Sequence, residues 1–248
     1  MKFPHDSRFD AAFDQIPDLI WYPYVGRTFA DQETRIMVFG HNAYMDPVTN
    51  AARKADFAQK NAYTGTLEEF TYWKVWYTRA FRAFVKGAVG LTKNFGDESD
   101  PAVIAKVDNF IDRISHINFI QGLVESPVAL TLARPEQIRQ SIQINERILE
   151  VLGITHVICW GDHVFDYVMR MDGITVLRSQ QFNQRGFSQR LIKNKLGRQV
   201  QVLKVFHPSM PGGFKPYSPE IQQILADFLP VAPKQDIASE ASDLRKSE

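Results

Sequence analysis

Four apolar runs in this sequence are each followed by side chains that can exchange hydrogen bonds with a ligand. In chain order these residues are His41, Asn42 and Tyr44, then Asn118 and Gln121, then His163, and finally His207 and Ser209. Imidazole, amide and hydroxyl groups of this kind both donate and accept hydrogen bonds. In open α/β sheets, ligands bind just outside the carboxyl ends of the strands. We therefore expect these groups to form one polar pocket.

Simpler explanations exist for each of these residues taken alone. The loop from Gly40 to Tyr44 is not a phosphate cradle, because it lacks the repeated glycines of a dinucleotide-binding loop and the Gly-Lys-Ser/Thr ending of a P-loop. A single histidine at a strand end is more often structural or solvated than catalytic. Asn118 could hydrogen-bond a neighbouring loop, and His163 could simply begin a helix. The order of all the segments together favours a functional site.

Alternating strands and helices are predicted between residues 35 and 229. The apolar run Ile36 to Phe39, which stops at Gly40, is typical of a buried strand. Further strands are predicted at 116–121, 155–160 and 201–206, and helices at 67–91, 101–114, 134–152, 162–171 and 218–229. Residues 1–34 predict an irregular packed lead-in. This order predicts an α/β sandwich with a mostly parallel central sheet.

The composition is ordinary for a globular protein, with 44% apolar residues, 23% charged residues and a formal net charge of +1. A local basic surface can still exist, because electrostatic steering depends on the distribution of charge. The single cysteine, Cys159, excludes an intramolecular disulfide and a cysteine-ligated zinc or iron–sulfur site, and its apolar neighbours predict an inert core thiol. We see no apolar signal core or membrane-length apolar run, and we expect a cytoplasmic protein.

The polar segments also follow a known pattern. Gly40-His41-Asn42-Ala43-Tyr44 follows the first strand, and Ile117-Asn118 lies in the second. VICWGDH at 157–163 closes the third, and His207-Pro208-Ser209 follows the fourth. In this order they resemble the motifs of the uracil-DNA glycosylase superfamily, namely G-Q-D-P-Y or G-x-N-P-G, an asparagine at a strand end, W-G-x-H and H-P-S. The resemblance covers about 35–229.

The resemblance implies a three-layer α/β/α sandwich around a central, mostly parallel four-stranded sheet. It implies a single domain over 1–232 with a helical insertion at about 60–100, and we expect a disordered tail at 233–248. It also implies an enzyme without metal or cofactor. Family branches that carry an iron–sulfur cluster need four cysteines, and this chain has one.

The implied activity is hydrolysis of the N-glycosidic bond of uracil or a mismatched base, after the nucleotide is extruded from DNA into a tight pocket. By this resemblance His207 would stabilise the negative charge that develops on uracil O2. Asn118 would bind the Watson–Crick edge of uracil, and Tyr44 would exclude the 5-methyl group of thymine. His41, Gln121 and His163 would complete the substrate pocket.

DNA is the partner that the resemblance implies. Ser209 would bind a phosphate, and Met210 or Pro211 could wedge into the base stack. In the basic stretch 178–204, Arg185 and Arg190 could each add a phosphate contact, or the stretch could be a solvated insertion. Phe182 and Phe187 in this stretch could stack on bases.

Three positions depart from the family pattern. Asn42 stands where the most active branch has a water-positioning aspartate, and an amide cannot act as a base. Ala43 replaces a proline, and Phe57 is the nearest residue to the aromatic that would stack on uracil. Asp46 is an acid close to the loop, although a turn role is the simpler explanation. Two alternatives therefore remain: a superfamily member that binds a base or nucleic acid without efficient cleavage, and an unrelated small-molecule α/β enzyme.

Overall fold

The computed structural model describes residues 5–45, 60, 79–91, 100–125, 133–208 and 214–229. These residues form six α-helices and nine β-strands. The helices are α1 (Asp10–Phe13), α2 (Arg79–Ala88), α3 (Pro101–Ile111), α4 (Pro135–Leu152), α5 (Asp162–Met169) and α6 (Pro219–Phe228). The strands are β1 (Tyr24–Val25), β2 (Ile36–Gly40), β3 (Ala43–Met45), β4 (Ile114–Asn118), β5 (Leu123–Glu125), β6 (His156–Trp160), β7 (Thr175–Gln181), β8 (Ser188–Lys193) and β9 (Gln199–Val205).

Seven of these strands form a mixed sheet in the order β1-β4-β2-β6-β9-β8-β7. The four neighbours β4, β2, β6 and β9 are parallel to one another. At the two edges, β1, β8 and β7 pair antiparallel. The predicted α/β class is confirmed. The prediction of four strands was too low, because three antiparallel strands extend the four parallel strands at the centre. Strands β3 and β5 form a separate parallel pair.

Helices pack on both faces of the sheet because neighbouring side chains of its buried strands point in opposite directions. On β2, Met37 and Phe39 join the apolar cluster that includes residues of α4 and α5. Val38, between them, joins the cluster that includes residues of α2, α3 and α6. The sheet is therefore the middle one of three layers.

Most predicted elements are found close to their predicted ends. The N-cap of α3 is Asp100, whose carboxylate accepts a hydrogen bond from the Ala102 amide at 2.8 Å. Helix α4 ends at Gly153, which has a φ of 61°. Cys159 is fully buried, as predicted, and burial raises the pKa of its thiol. Among the described residues, no helix combines the length and apolar character needed to cross a membrane.

The second parallel strand was placed two or three residues too late. Helix α3 ends at Ile111, so that Ile114 already belongs to β4, and the strand ends at Asn118. Gln121 therefore lies beyond the strand rather than at its end. The predicted helix 67–91 is seen over α2, and its earlier part lies outside the described residues, as does the tail 233–248.

Two stretches for which no helix or strand was predicted contain regular elements. The lead-in holds α1 and β1, and it buries the aromatic side chains of Phe13, Trp21 and Phe29 completely. The basic stretch after Gly173 forms the antiparallel hairpin β7–β8, which continues into β9. All seven residues of β7 are exposed. The hairpin therefore extends the sheet beyond its buried centre.

Candidate functional site

The carboxyl ends of the four parallel strands lie at the same edge of the sheet. Strand β2 leads into His41 and Asn42, β4 ends at Asn118, β6 leads into His163, and β9 leads into His207. Parallel pairing brings these ends together although they are far apart in sequence. We call the group formed by His41, Asn118, His163 and His207 the strand-end site.

Two imidazoles of the strand-end site stack on each other. The ring centroids of His41 and His163 are 5.5 Å apart with an interplanar angle of 18°. Tyr167 of α5 lies 6.3 Å from each of these rings. Burial, together with the charges of His163 and His207, lowers the pKa of His41 to about 4. His41 is therefore neutral at pH 7, and its buried Nε2 has no hydrogen-bond partner within the described part of the chain.

His207 is held against the indole of Trp160. Their ring centroids are 6.0 Å apart and the planes are nearly perpendicular, at 80°. Burial lowers the pKa of His207, so that this imidazole is also neutral at pH 7. A neutral imidazole still carries one N–H group and can donate it to an anionic oxygen. His207 can therefore stabilise negative charge on a ligand oxygen by donating a hydrogen bond while the ring itself stays uncharged.

The side chain of Asn118 lies unusually close to Gly40. These two residues are cross-strand partners in the parallel pairing of β2 with β4. A Cβ atom on Gly40 would lie 2.2 Å from the Oδ1 atom of Asn118. Only glycine leaves room for this amide, because real Cβ atoms do not approach an oxygen so closely. The glycine that ends β2 thus leaves the space that the Asn118 amide occupies.

Next to the strand-end site, the buried rings of Phe81, His116 and Trp160 pack together in what we call the ring column. His116 stacks on Phe81 of α2 at 4.8 Å, and its ring lies 5.1 Å from that of Trp160. The Nδ1 atom of His116 is 2.8 Å from the carbonyl oxygen of Val38, so Nδ1 carries the proton in the neutral ring. Burial lowers the pKa of His116 to about 4. The column therefore carries no charge at neutral pH, and it positions Trp160, which contacts His207.

Sequence reasoning missed this column. His116 lies two residues before Asn118 in the same strand, and side chains at that spacing share a face. A histidine on the buried face of a strand that ends in Asn118 was the available signal. Its contact with Phe81 was not predictable from spacing, because it depends on how α2 crosses the sheet.

Two more of the predicted substrate-binding residues, Gln121 and Tyr44, lie after the ends of β4 and β2. Gln121 is buried, and its side-chain oxygen accepts a hydrogen bond from the Trp21 amide at 3.1 Å. This bond connects the lead-in to the sheet. Tyr44 lies in β3, opposite Val124 of β5. The parallel pair β3–β5 thus joins the segments that follow β2 and β4.

The two arginines predicted to contact DNA lie in different places. Arg185 is exposed in the turn between β7 and β8. Arg190 of β8 is half-buried, and its guanidinium lies 4.8 Å from the ring centroid of Phe165 in α5. Ser209, Met210 and Pro211 lie outside the described residues, as do Asp46 and Phe57.

Phe187 does not have a free ring face of the kind that stacking on a base requires. It is 2% exposed and lies 6.4 Å from Phe214, nearly parallel to it, in the core. Phe182 packs against the same cluster. A base-stacking role for Phe187 was therefore wrong, because its ring is part of the packing that holds the hairpin to the sheet.

The chemistry that this site offers is neutral hydrogen bonding. Three imidazoles and one amide meet at one edge, and burial keeps at least His41 and His207 uncharged. In the part of the chain that the structure describes, no cluster of three or more His, Cys, Asp or Glu side chains is arranged to hold a metal ion. Such a site suits a planar polar ligand with carbonyl oxygens and N–H groups.

The sequence matches no model of a known protein family, and no curated protein matches it either.

Proposed function

We propose that this protein is a DNA base-excision glycosylase that hydrolyses the N-glycosidic bond of uracil or of a mismatched base. The observation that carries the proposal is that neutral His207 and Asn118 lie at the same edge of the sheet, after the parallel strands β9 and β4. These residues stand in the motifs that resemble those of uracil-DNA glycosylases. The four-strand parallel centre of the sheet, within its three layers, is in keeping with that family.

In this proposal the target nucleotide leaves the base stack and its base enters the strand-end site. The amide of Asn118 pairs with the Watson–Crick edge, accepting from N3–H and donating to O4. As the glycosidic bond lengthens, the sugar becomes positive and uracil O2 becomes negative. The N–H group of His207 then donates to that oxygen. A donor fixed in advance in a dry site stabilises the transition state more than it does the ground state.

Asn42 sets the expected speed of the reaction. Its amide can hold a water molecule by hydrogen bonds but cannot take a proton from it or neutralise the sugar cation. Water attack then depends on the cation that departure of the base creates. We expect slow turnover, best seen with enzyme in excess over substrate.

A second function is favoured by the same residue. A protein with Asn42 in place of an acid could recognise an extruded base or a nucleic acid without cleaving it. His41 supports such a role, because its buried Nε2 has no hydrogen-bond partner among the described residues and could bind a ligand. The ring of His41 also interacts electrostatically with His163 and His207. Under this alternative the strand-end site binds its ligand with no abasic product.

The test is single-turnover cleavage at micromolar protein with a set of labelled oligonucleotides. The set contains uracil in a single strand, in U·G and in U·A duplexes, a T·G duplex, and the same strands with no uracil or mismatch. Abasic product from a uracil or T·G substrate, and none from the unmodified strands, supports the glycosylase. Specific binding of the uracil strands without product supports the second function. If there is no abasic product and no preferential binding of the uracil strands, both functions are ruled out.

A further inference from the structure

The longest stretch without acidic residues coincides with the hairpin at the edge of the sheet. Between Asp172 and Glu220 the sequence contains eight Lys or Arg residues and no Asp or Glu. The whole chain, in contrast, carries a formal net charge of only +1. The strands β7, β8 and β9 therefore concentrate positive charge in one part of an otherwise balanced molecule.

The cations on one face of this ribbon are already engaged. Lys204 forms an ion pair with Asp162 at 2.6 Å, and Lys195 forms one with Glu150 at 2.9 Å. Arg190 lies over the ring of Phe165. This is the face that α4 and α5 cover. Its basic side chains are occupied within the fold.

The opposite face of the ribbon carries amides and cations. Ile192, Val200 and Val202 point into the core cluster on the α4–α5 side, so their strand neighbours point the other way. The residues of this other face are Arg178 and Gln180 of β7, Gln189, Leu191 and Lys193 of β8, and Gln199 and Gln201 of β9. We call it the amide face. The side chains of Gln189 and Gln201 share a hydrogen bond of 2.7 Å on it.

The amide face is open and its charges are available. Arg178, Gln180, Lys193 and Gln199 are exposed. Within the described residues, Arg178 and Lys193 have no ion-pair partner. The register sets Arg178 opposite Leu191 and Lys193 opposite Thr175, so the two cations are two positions apart, about 7 Å along the ribbon. Exposed cations among amide donors are complementary to a row of phosphates.

The hairpin turn connects this face to the strand-end site. Strand β8 runs antiparallel to β9, so the turn at 182–187 lies at the same edge as the carboxyl end of β9. A Cβ atom on Gly186 would lie 2.5 Å from the Phe206 ring, and Phe206 directly precedes His207. Arg185 is exposed in this turn. A chain of phosphates leaving the site can therefore pass Arg185 and continue along the ribbon.

We propose that the amide face binds the phosphodiester backbone of the DNA strand that continues from the target nucleotide. The choice of DNA rests on the proposed function, and the choice of a polyanion rests on charge and geometry. Arg178 and Lys193 supply charge and the glutamine amides supply hydrogen bonds to phosphate oxygens. The contact is independent of sequence, because backbone contacts carry no base information.

The experiment measures binding of a fluorescently labelled oligonucleotide without uracil, single-stranded and as a duplex, by anisotropy over a range of salt concentrations. The test variant is R178Q/K193Q. The control, R139Q/R147Q, removes the same charge from α4, where both arginines form exposed ion pairs with glutamates of the same helix. We expect the test variant to bind at least about fivefold more weakly than wild type. The slope of log K against log salt falls by about 1–2, since each phosphate contact contributes about 0.7–0.9.

A second variant probes the same face without removing a cation. Gln180→Glu adds a carboxylate beside Arg178 at an exposed position, and we expect it to weaken binding in the same direction. Equal affinity and salt slope for R178Q/K193Q and the control pair would overturn the proposal. Because the oligonucleotide contains no uracil, its binding can be measured whether or not the protein is a glycosylase. Weaker binding by R178Q/K193Q, with no uracil excision by wild type, supports the amide face as a DNA-binding surface and rejects the glycosylase reaction. Excision by wild type, with unchanged binding by R178Q/K193Q, rejects only the DNA-binding role of the amide face.

Discussion

Gly40 is the residue on which the position of Asn118 depends most directly. The Oδ1 atom of Asn118 occupies the place where a Cβ atom at position 40 would be, at 2.2 Å. We expect Gly40→Ala to displace the Asn118 side chain and to lower the free energy of unfolding by about 1 kcal/mol, the low end of the overpacking range, because only the end of that side chain must move. Denaturant unfolding monitors the stability, and excision or uracil-dependent binding monitors the site.

The double variant G40A/N118A provides the control for this strain. Removing the amide leaves room for the new methyl group, so we expect G40A/N118A to recover most of the stability lost in Gly40→Ala. Such coupling is what a double-mutant cycle measures for residues in contact. If the two losses simply add, the close approach does not hold Asn118 in place.

The neutral ring column next to the site makes stability dependent on pH. The pKa of His116 is about 4 in the fold against 6.5 for an unperturbed histidine, because the ring is buried. The unfolded chain therefore binds one more proton than the fold between pH 6.5 and 4. Stability is complete above pH 6.5 and is lost as pH falls through that range, by about 3 kcal/mol for this residue.

His116→Gln removes this titration and can still donate to the Val38 carbonyl. We expect the variant to be less stable at pH 7 and to lose less stability than wild type between pH 7 and 4. Urea unfolding at several pH values gives both quantities. Parallel curves for the two proteins would mean that His116 is not buried as a neutral ring.

At the level of elements, the β7–β8 hairpin is built against the end of β9. Gly186 and Gly197 both adopt a left-handed conformation, with φ of 80° and 77°. Alanine at either position lowers the free energy of unfolding by about 1–2 kcal/mol, because a residue with a Cβ atom is strained in this backbone conformation. Only at Gly186 does the added methyl group also collide with Phe206, at 2.5 Å, whereas at Gly197 the nearest atom is a lysine Cε at 3.6 Å.

The two glycines therefore form a matched pair of variants. We expect Gly186→Ala to reduce the activity or ligand affinity of the strand-end site several-fold, because Phe206 adjoins His207. Gly197→Ala should lose a similar backbone increment of stability and keep the site intact. If both variants change the activity or ligand affinity of the site equally, the contact between Gly186 and Phe206 does not support His207.

The central elements were predictable because their signals are local. The run Ile36 to Phe39 followed by Gly40 predicted β2, and Asp100 and Gly153 marked a helix start and a helix end. Strand β7 gave no such signal: its seven residues are all exposed, so no apolar alternation appears in its sequence. It is a strand because β8 offers a partner, which is a tertiary cause.

At the level of the whole molecule, the sequence predicted that the polar strand ends would meet, and the parallel pairing of β4, β2, β6 and β9 brings them to one edge. It did not predict their mutual geometry. The stacking of His41 on His163, and the ring column from Phe81 to Trp160, depend on helices that approach from different parts of the chain. No regular spacing of residues along the sequence predicts such contacts.

The most direct measurement of the central claim is the single-turnover release of free uracil from a DNA strand by wild type, His207→Ala and His156→Ala. His156 begins β6 at the opposite edge of the sheet and packs against Phe228, so it controls for loss of a histidine. We predict uracil release by wild type and by His156→Ala, and a rate about 100-fold lower for His207→Ala, the cost of one lost oxyanion donor. No release by folded wild type, or equal rates for both variants, contradicts the account.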